Sequence, residues 1–140
     1  MKLRIMTPSD IRQGYQLWKK AGLDVVSYKR EKLEVKNVLK LNSSSCFVME
    51  DKGNIIGTVL GAFNGRRAWI YHMAIHPDHQ RKGNGWLLLQ KTEEALKKLG
   101  ATKILVGVLP TNKKALDFYQ KRNFSIMDHA LALQKDLWSK

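Results

Sequence analysis

Met73-Ala74-Ile75-His76-Pro77-Asp78-His79-Gln80-Arg81-Lys82-Gly83-Asn84-Gly85 is the stretch on which the fold turns. It closes an apolar, β-prone run at Pro77, bends through polar residues and opens a long helical pattern. The first amides of a helix lack internal partners and carry the positive end of its dipole. Gly83 and Gly85 remove side chains that would block approach to that backbone, and Arg81 and Lys82 add positive charge. Such a construction suits a phosphate or pyrophosphate. Two other glycine patterns fail. A dinucleotide fingerprint wants a third glycine where Leu88 stands, and a P-loop wants lysine where Trp86 follows Gly85. Taken alone, the two glycines describe a plain helix-entry turn equally well.

Working outward, Arg67 to His76 reads as a strand that enters this loop, and Gly83 to Leu99 as the helix that leaves it, closed by Gly100. Trp86, Leu87, Leu89, Leu96 and Leu99 supply that helix with a broad apolar face. Upstream, Cys46–Glu50 and Ile55–Phe63 are two more strands, joined by the turn Asp51-Lys52-Gly53-Asn54. Asn64-Gly65 is a two-residue hairpin signal, since both residues tolerate positive φ. Further upstream, Lys2–Met6 suits a strand, and Thr7, Pro8 and Asp10 mark a helix start. That helix carries Ile11, Tyr15, Leu17 and Trp18 to Gly22, and a second one spans about Lys29–Leu41 with Leu33, Val35, Val38 and Leu39 as its apolar residues. Downstream come a buried strand at Lys103–Leu109, a helix capped by Thr111, and a left-handed stop at Asn123. Phe124–Met127 and Ala130–Lys135 are expected closing strands. The order βααβββαβαβ predicts an α+β, or mixed α/β, domain with a mostly antiparallel sheet and about four helices.

The chain of 140 residues, 44% hydrophobic and without linker or repeat, predicts a single domain over 1–140. No run approaches the roughly 18 apolar residues of a membrane helix, and Met1–Thr7 lacks the apolar core of a secretion signal. Cys46, the one cysteine, excludes an internal disulfide, and the four scattered histidines give no zinc spacing, so no metal is expected. A cytoplasmic protein is the default expectation. Lys plus Arg number 25 against 12 Asp plus Glu, a net charge of +13, which attracts polyanions without choosing among nucleic acid, anionic lipid and phosphorylated small molecules.

The loop, as Gln80-x-x-Gly83-x-Gly85, resembles the acetyl-CoA motif of the GCN5-related N-acetyltransferases, the GNAT superfamily. A second stretch, with Asn112, Ala115, Phe118, Tyr119 and Phe124, resembles the pattern Asn-x-x-Ala-x-x-Phe-Tyr-x-x-x-Gly-Phe of that family, with Asn123 in place of its glycine. Leu17-Trp18, Gly57-Thr58-Val59, Gly65-Arg66-Arg67 and Tyr71 to Pro77 resemble small bacterial GNAT proteins of the YpeA type.

The resemblance implies a sheet whose parallel fourth and fifth strands splay apart to admit pantetheine. It implies cofactor contacts from Met73, Ala74 and Ile75, from the amides of Gln80, Arg81, Lys82, Gly83, Asn84 and Gly85, and from Asn112. It also implies that the Met73 amide stabilises the oxyanion and that Tyr119 hydrogen-bonds the leaving sulfur. Two glutamates used as bases by some relatives fall here on Trp69 and Gly107. Glu50, Tyr71 and His72 remain as candidate bases, and each also reads as an ordinary strand residue. Arg66 and Arg67 could receive an acidic group on the substrate or simply be a solvated hairpin end. Trp18 and Tyr28 could line an acceptor pocket or pack in the core, and Cys46 reads as core.

The function this implies is acetyl-CoA-dependent transfer of an acetyl group to a primary amine of a small molecule or protein, by direct attack. The alternative is a non-catalytic acetyl-CoA-binding sensor. Specific nucleic-acid binding, prompted by the charge, lacks any supporting motif. No membrane partner is expected, and a monomer or homodimer is.

Overall fold

A computed structural model describes residues 1–139. The chain divides into two compact units, one from Met1 to Val106 and one beginning at Gly107.

The first unit holds a five-stranded sheet in the order β1-β2-β3-β4-β5. The strands are β1 Lys2–Ile5, β2 Cys46–Asp51, β3 Asn54–Phe63, β4 Ala68–Ile75 and β5 Ile104–Val106. The first four pair antiparallel, and β4 pairs β5 in parallel. With its helices this is the α+β fold expected. Helices α1 Ile11–Lys20 and α2 Tyr28–Leu41 precede β2, and α3 Asn84–Lys98 joins β4 to β5.

Polar groups answer free amides ahead of α1 and at the start of α2. Ahead of α1, the Thr7 N–H donates to Asp10 Oδ2 at 2.9 Å. Arg4 Nη1 and Nη2 donate to the two oxygens of the same carboxylate at 2.9 Å each. Ser27 Oγ accepts from the Arg30 N–H at the start of α2. At the end of α2, Asn42 Oδ1 accepts from the Phe63 N–H at 2.8 Å, pinning the helix to the far end of β3.

The central strand shows how the layers fit. Gly57 and Gly61 face α3, where an added Cβ would stand 2.9 Å from Leu88 Cδ1 and 2.7 Å from Thr92 Cγ2 respectively. Only glycine lets the helix lie this close. On the other face Thr58 and Leu60 meet α1 and α2: Trp18 Nε1 donates to Thr58 Oγ1, and Leu60 joins Leu17, Val35 and Leu39 in one core.

Several boundaries differ from those expected. The Asn64-Gly65 hairpin is a four-residue loop, with Phe63 paired to Ala68. Asn64 uses its side chain here, Oδ1 accepting from the Arg66 and Arg67 N–H groups, and only Gly65 takes positive φ. In α3 the buried residues are Asn84, Leu88, Leu89, Thr92 and Leu96, while Trp86, Leu87 and, just past its end, Leu99 are exposed. β5 is shorter than Lys103–Leu109 and half-buried, since it pairs only with the first residues of β4.

In the second unit, α4 Lys113–Gln120 is capped by Asn112, whose Oδ1 accepts from the Ala115 N–H at 3.1 Å. Thr111, the expected cap, lies one residue too early. Asn123 is left-handed, with φ 71°, and the chain folds back so that the Phe124 N–H donates to the Tyr119 carbonyl. The expected strands Phe124–Met127 and Ala130–Lys135 are absent: among the described residues this segment has no helix or strand, and Leu131 and Leu133 are exposed. Apolar alternation makes a strand only where another strand supplies the hydrogen-bond ladder, and none does so here.

Candidate functional site

β4 is paired on one side along its length and on the other only in part. β3 accompanies it from Ala68 to Ile75, whereas β5 does so only at Ala68, Trp69 and Ile70. From Tyr71 onward no strand among the described residues pairs with its second edge. The two parallel strands therefore part company where the resemblance expects a splay.

At that point β4 carries an extra residue. Thr58 pairs with Ala74 and Leu60 with Tyr71, so two steps on β3 answer three on β4. Such a bulge breaks the ladder and re-aims the backbone. His72 absorbs the distortion with φ 50°, a conformation that histidine adopts more readily than β-branched residues. The bulge is held from inside. Thr58 Oγ1 donates to the His72 carbonyl at 2.7 Å and accepts from Trp18 Nε1 at 2.8 Å. Trp18 is fully buried, and its ring lies edge-on to the His72 ring at 4.3 Å between centroids. Met73, whose amide the resemblance assigns to the oxyanion, is the residue that follows.

The loop beyond β4 is a chain of local turns. The His76 N–H returns to the Ile56 carbonyl at 2.8 Å, and His76 Nδ1 accepts from the Asp78 N–H. Gln80 Nε2 donates to the Ile75 carbonyl at 2.8 Å, and Asn84 Nδ2 to the His79 carbonyl at 3.0 Å. Arg81 and Gly83 are both left-handed, at φ 63° and 84°. Left-handed residues set among right-handed ones turn successive amides toward a common side, a geometry that cradles anions. A Cβ on Gly83 would meet nothing within 4 Å, so the space beside that backbone is open. Arg81, Lys82 and Gly83 are exposed and α3 starts at Asn84. A pyrophosphate fits this arrangement.

Next to the bulge lies a cavity of about 700 Å³, lined by Glu31, Val38, Leu60, Trp69, Tyr71 and His72 among others. The rings of Trp69 and Tyr71 stack at 6.3 Å, and burial pushes the Tyr71 phenol upward. Glu31 Oε1 lies 2.9 Å from His72 Nε2, and Glu31 Oε2 accepts from the Val26 N–H at 3.2 Å. Burial alone would raise this carboxyl. The hydrogen bond and charge of His72, the Val26 amide and the charge of Arg30 outweigh it and hold Glu31 below the usual carboxylate range.

The other candidates lie elsewhere. Glu50 is held by Arg4 Nε at the β1–β2 end of the sheet, away from Tyr71 and His72. Arg66 and Arg67 stand at the hairpin end, where Arg67 Nη1 donates to the Arg66 carbonyl. Trp18 is core, and Tyr28 packs its ring on Tyr15 at 5.2 Å; neither lines the cavity. Cys46 is fully buried, and burial pushes its thiol up to about 11. In the second unit Tyr119 is buried between Phe118 and Phe124, its ring 5.1 and 5.2 Å from theirs. Burial raises its phenol, which therefore stays protonated at neutral pH.

Glu31 was not among the residues singled out from the sequence. Its signal was present: Glu31, Val35 and Leu39 recur every four residues and form the buried face of α2, whereas Leu33 is exposed. A carboxylate inside an apolar stripe needs a partner.

Known proteins place this arrangement. The chain is 25% identical over 137 residues to "Acetyltransferase SG1711" of Sodalis glossinidius (strain morsitans), covering 98% of this chain and 96% of that protein. Its fold is similar to that of Ard1 from Thermoplasma volcanium, with TM-score 0.81 and 20% identity over 91% of this chain and 84% of that one. It is likewise similar to the PaiA N-acetyltransferase from Thermoplasma acidophilum, solved in complex with coenzyme A, with TM-score 0.79 and 18% identity over 92% of each chain. The Acetyltransferase (GNAT) family model matches residues 11–124. A bulged, half-open strand running through a left-handed loop into a helix is thus set in a fold shared with acetyltransferases, and the chain belongs to the GNAT family.

Proposed function

We propose that the protein is an acetyl-CoA-dependent N-acetyltransferase in which a primary amine attacks the thioester directly, both substrates being bound together. The observation that carries this reading is the bulge at His72 on a strand whose second edge is open and which runs into the left-handed loop Arg81–Gly83. Backbone groups of Met73, Ala74 and Ile75 on that edge receive the pantetheine amides. The amides from Gln80 to Gly85 receive the pyrophosphate, helped by Arg81 and Lys82. Asn112 contributes to the pantetheine arm, as its match to the second motif implies.

Attack on the thioester carbonyl creates an oxyanion, and a donor already in place stabilises it without reorganisation. The Met73 amide, set by the bulge, has that role. Binding both substrates side by side supplies much of the acceleration through proximity, so no covalent enzyme intermediate is needed. The leaving thiolate is met by Tyr119, which the second motif assigns. A thiol titrates near 8.5 and an ordinary tyrosine near 10. With its phenol raised further by burial, Tyr119 acts as a hydrogen-bond donor to sulfur more than as a source of a fully transferred proton.

The test is acetyl-CoA-dependent acetylation of a broad amine panel, read as an acceptor mass shift, with acetyl-CoA binding measured in parallel by calorimetry. Acetylated acceptor is the expected result. A flat panel with acetyl-CoA bound would favour the sensor instead.

A further inference from the structure

We propose that His72, positioned by Glu31, takes the proton of the acceptor amine, and that the cavity these two residues line selects a monoamine carried on an apolar body. The proposal rests on the N-acetyltransferase reading above.

The first support is how firmly the pair is fixed. Both Glu31 oxygens are engaged, one with His72 Nε2 at 2.9 Å and the other with the Val26 N–H. Glu31 is 4% exposed, so its carboxylate has little water to turn to. A carboxylate at Nε2 selects the tautomer that carries its proton there. Nδ1 is then the basic nitrogen, and among the described residues it has no hydrogen-bond partner. The ring remains accessible, its side chain being 23% exposed.

The second support is position. His72 and Met73 are consecutive on the bulge. The group that would take the proton and the amide assigned to the oxyanion therefore stand one residue, about 3.8 Å of chain, apart. An amine nitrogen attacking a carbonyl held by Met73 would lie within reach of the preceding side chain.

The third support is the character of the cavity. A volume of about 700 Å³ accommodates a small molecule. In a protein of net charge +13, the charged side chains on its wall, Glu31 and Glu34, are both acidic. The rest of the wall is mainly Val35, Val38, Leu60, Phe63 and Trp69. An ammonium is drawn in by Glu31, and an apolar body is buried against the wall. A polyamine would need a carboxylate for its distal charge, and Glu34 is already bound to Arg30 Nε at 2.7 Å. The ionisable groups that share the cavity with His72 are thus Glu31, Glu34 and Tyr71. Trp18 from α1 and Thr58 from β3 bring no charge.

In the step itself, the amine lone pair forms the C–N bond. The C–S bond breaks with its electron pair on sulfur, and the nitrogen's surplus proton passes to His72 Nδ1. The thiolate, hydrogen-bonded by Tyr119, leaves as such or takes a proton from solvent, and His72 returns its own proton to solvent. An amine arriving as ammonium first loses one more proton by the same route.

The experiment measures kcat and KM across pH with 2-phenylethylamine, spermidine and a tripeptide with a free N-terminus as acceptors. It compares wild type, His72→Gln, Glu31→Gln and Glu31→Asp, with acetyl-CoA affinity followed by calorimetry. Wild type should favour 2-phenylethylamine. His72→Gln should lower kcat by about a hundredfold or more while acetyl-CoA affinity holds. Glu31→Gln should lower kcat while KM and acetyl-CoA affinity hold, and Glu31→Asp, which keeps a carboxylate, should recover much of it.

Undiminished kcat in His72→Gln, or a Glu31→Asp variant no better than Glu31→Gln, overturns the proton role. Preference for spermidine or the tripeptide overturns the acceptor class. A wild type that binds no acetyl-CoA overturns the transferase reading itself. Should Glu31→Gln fail to fold, His72→Gln, on a part-exposed side chain, still decides the proton role. Leu41→Trp, on an exposed residue of the cavity rim, then decides the acceptor class by raising KM for 2-phenylethylamine.

Discussion

The loop from His76 to Gly85 and the cavity beside Glu31 both adjoin β4, but they are made of different material. The loop is consecutive residues whose backbone is held by short-range bonds from their own side chains, His76 with Asp78, Gln80 with Ile75 and Asn84 with His79, with left-handed turns at Arg81 and Gly83. The cavity is side chains gathered from α2, β3 and β4, and its key pair joins residues 31 and 72. A backbone site needs particular φ angles and small residues at fixed spacing, so it leaves a motif. A side-chain site needs packing between distant elements and leaves none. The first can stay constant while the second is rebuilt, which is how one fold comes to serve many chemistries.

That contrast can be tested from either side. The largest expected effect belongs to Gly83→Glu, which sets a negative side chain into the open space of the cradle. Acetyl-CoA affinity should fall at least about a hundredfold, close to 3 kcal/mol, by calorimetry on a protein whose circular dichroism is unchanged. Gly83→Ala brings the left-handed strain without the charge and should lose much less. Normal binding by Gly83→Glu would remove the loop from the cofactor site.

Tyr119→Phe should come next, with turnover lowered about a hundredfold and acetyl-CoA still bound. Unchanged turnover would remove Tyr119 from the leaving-group role.

Thr58→Val addresses the other half. It strands the buried Trp18 N–H and frees the His72 carbonyl, at a cost of about 1–3 kcal/mol in urea unfolding. Turnover should drop with the loosened bulge while acetyl-CoA affinity holds. Equal losses in both would mean that loop and cavity are one unit.

The smallest effect is on acid stability. Asp10 is raised by burial but lowered further by Arg4 and Thr7, and Glu31 likewise ends below its ordinary value. Carboxyls whose folded values are depressed stabilise the fold above the unfolded value, about 4, and lose that contribution as pH falls through the folded one. The thermal midpoint should therefore be flat from neutrality to about pH 5 and decline below about pH 4, less steeply in Glu31→Gln.

Much of the fold could be read in the sequence because its signals are local. Thr7-Pro8-Ser9-Asp10 marks the start that α1 follows, and Asn123 does stop the chain after α4 in the left-handed form. Where reading failed, a tertiary partner decided. Leu33 is one of the apolar residues of α2 and yet stands exposed, while the four-residue recurrence of Glu31, Val35 and Leu39 faces inward. Asn64 looked like a turn residue chosen for its φ, and acts through its side chain. Ala130–Lys135 alternates like a strand with no neighbour to pair it. The loop was legible as a glycine-bearing turn from a strand into a helix, and Gly83 is left-handed there. Among the candidate bases His72 was legible as a residue but not as half of a pair, since nothing local ties it to Glu31.

Cys46 has a practical consequence. The chain's one thiol is fully buried, donates to the Gly61 carbonyl and has its ionisation pushed up to about 11. The folded enzyme is therefore silent toward thiol-trapping dyes, and a colour change in their presence counts released coenzyme A. The same silence leaves the surface free for a single engineered cysteine, so that a fluorophore placed on the cavity rim would report acceptor entry without a second label.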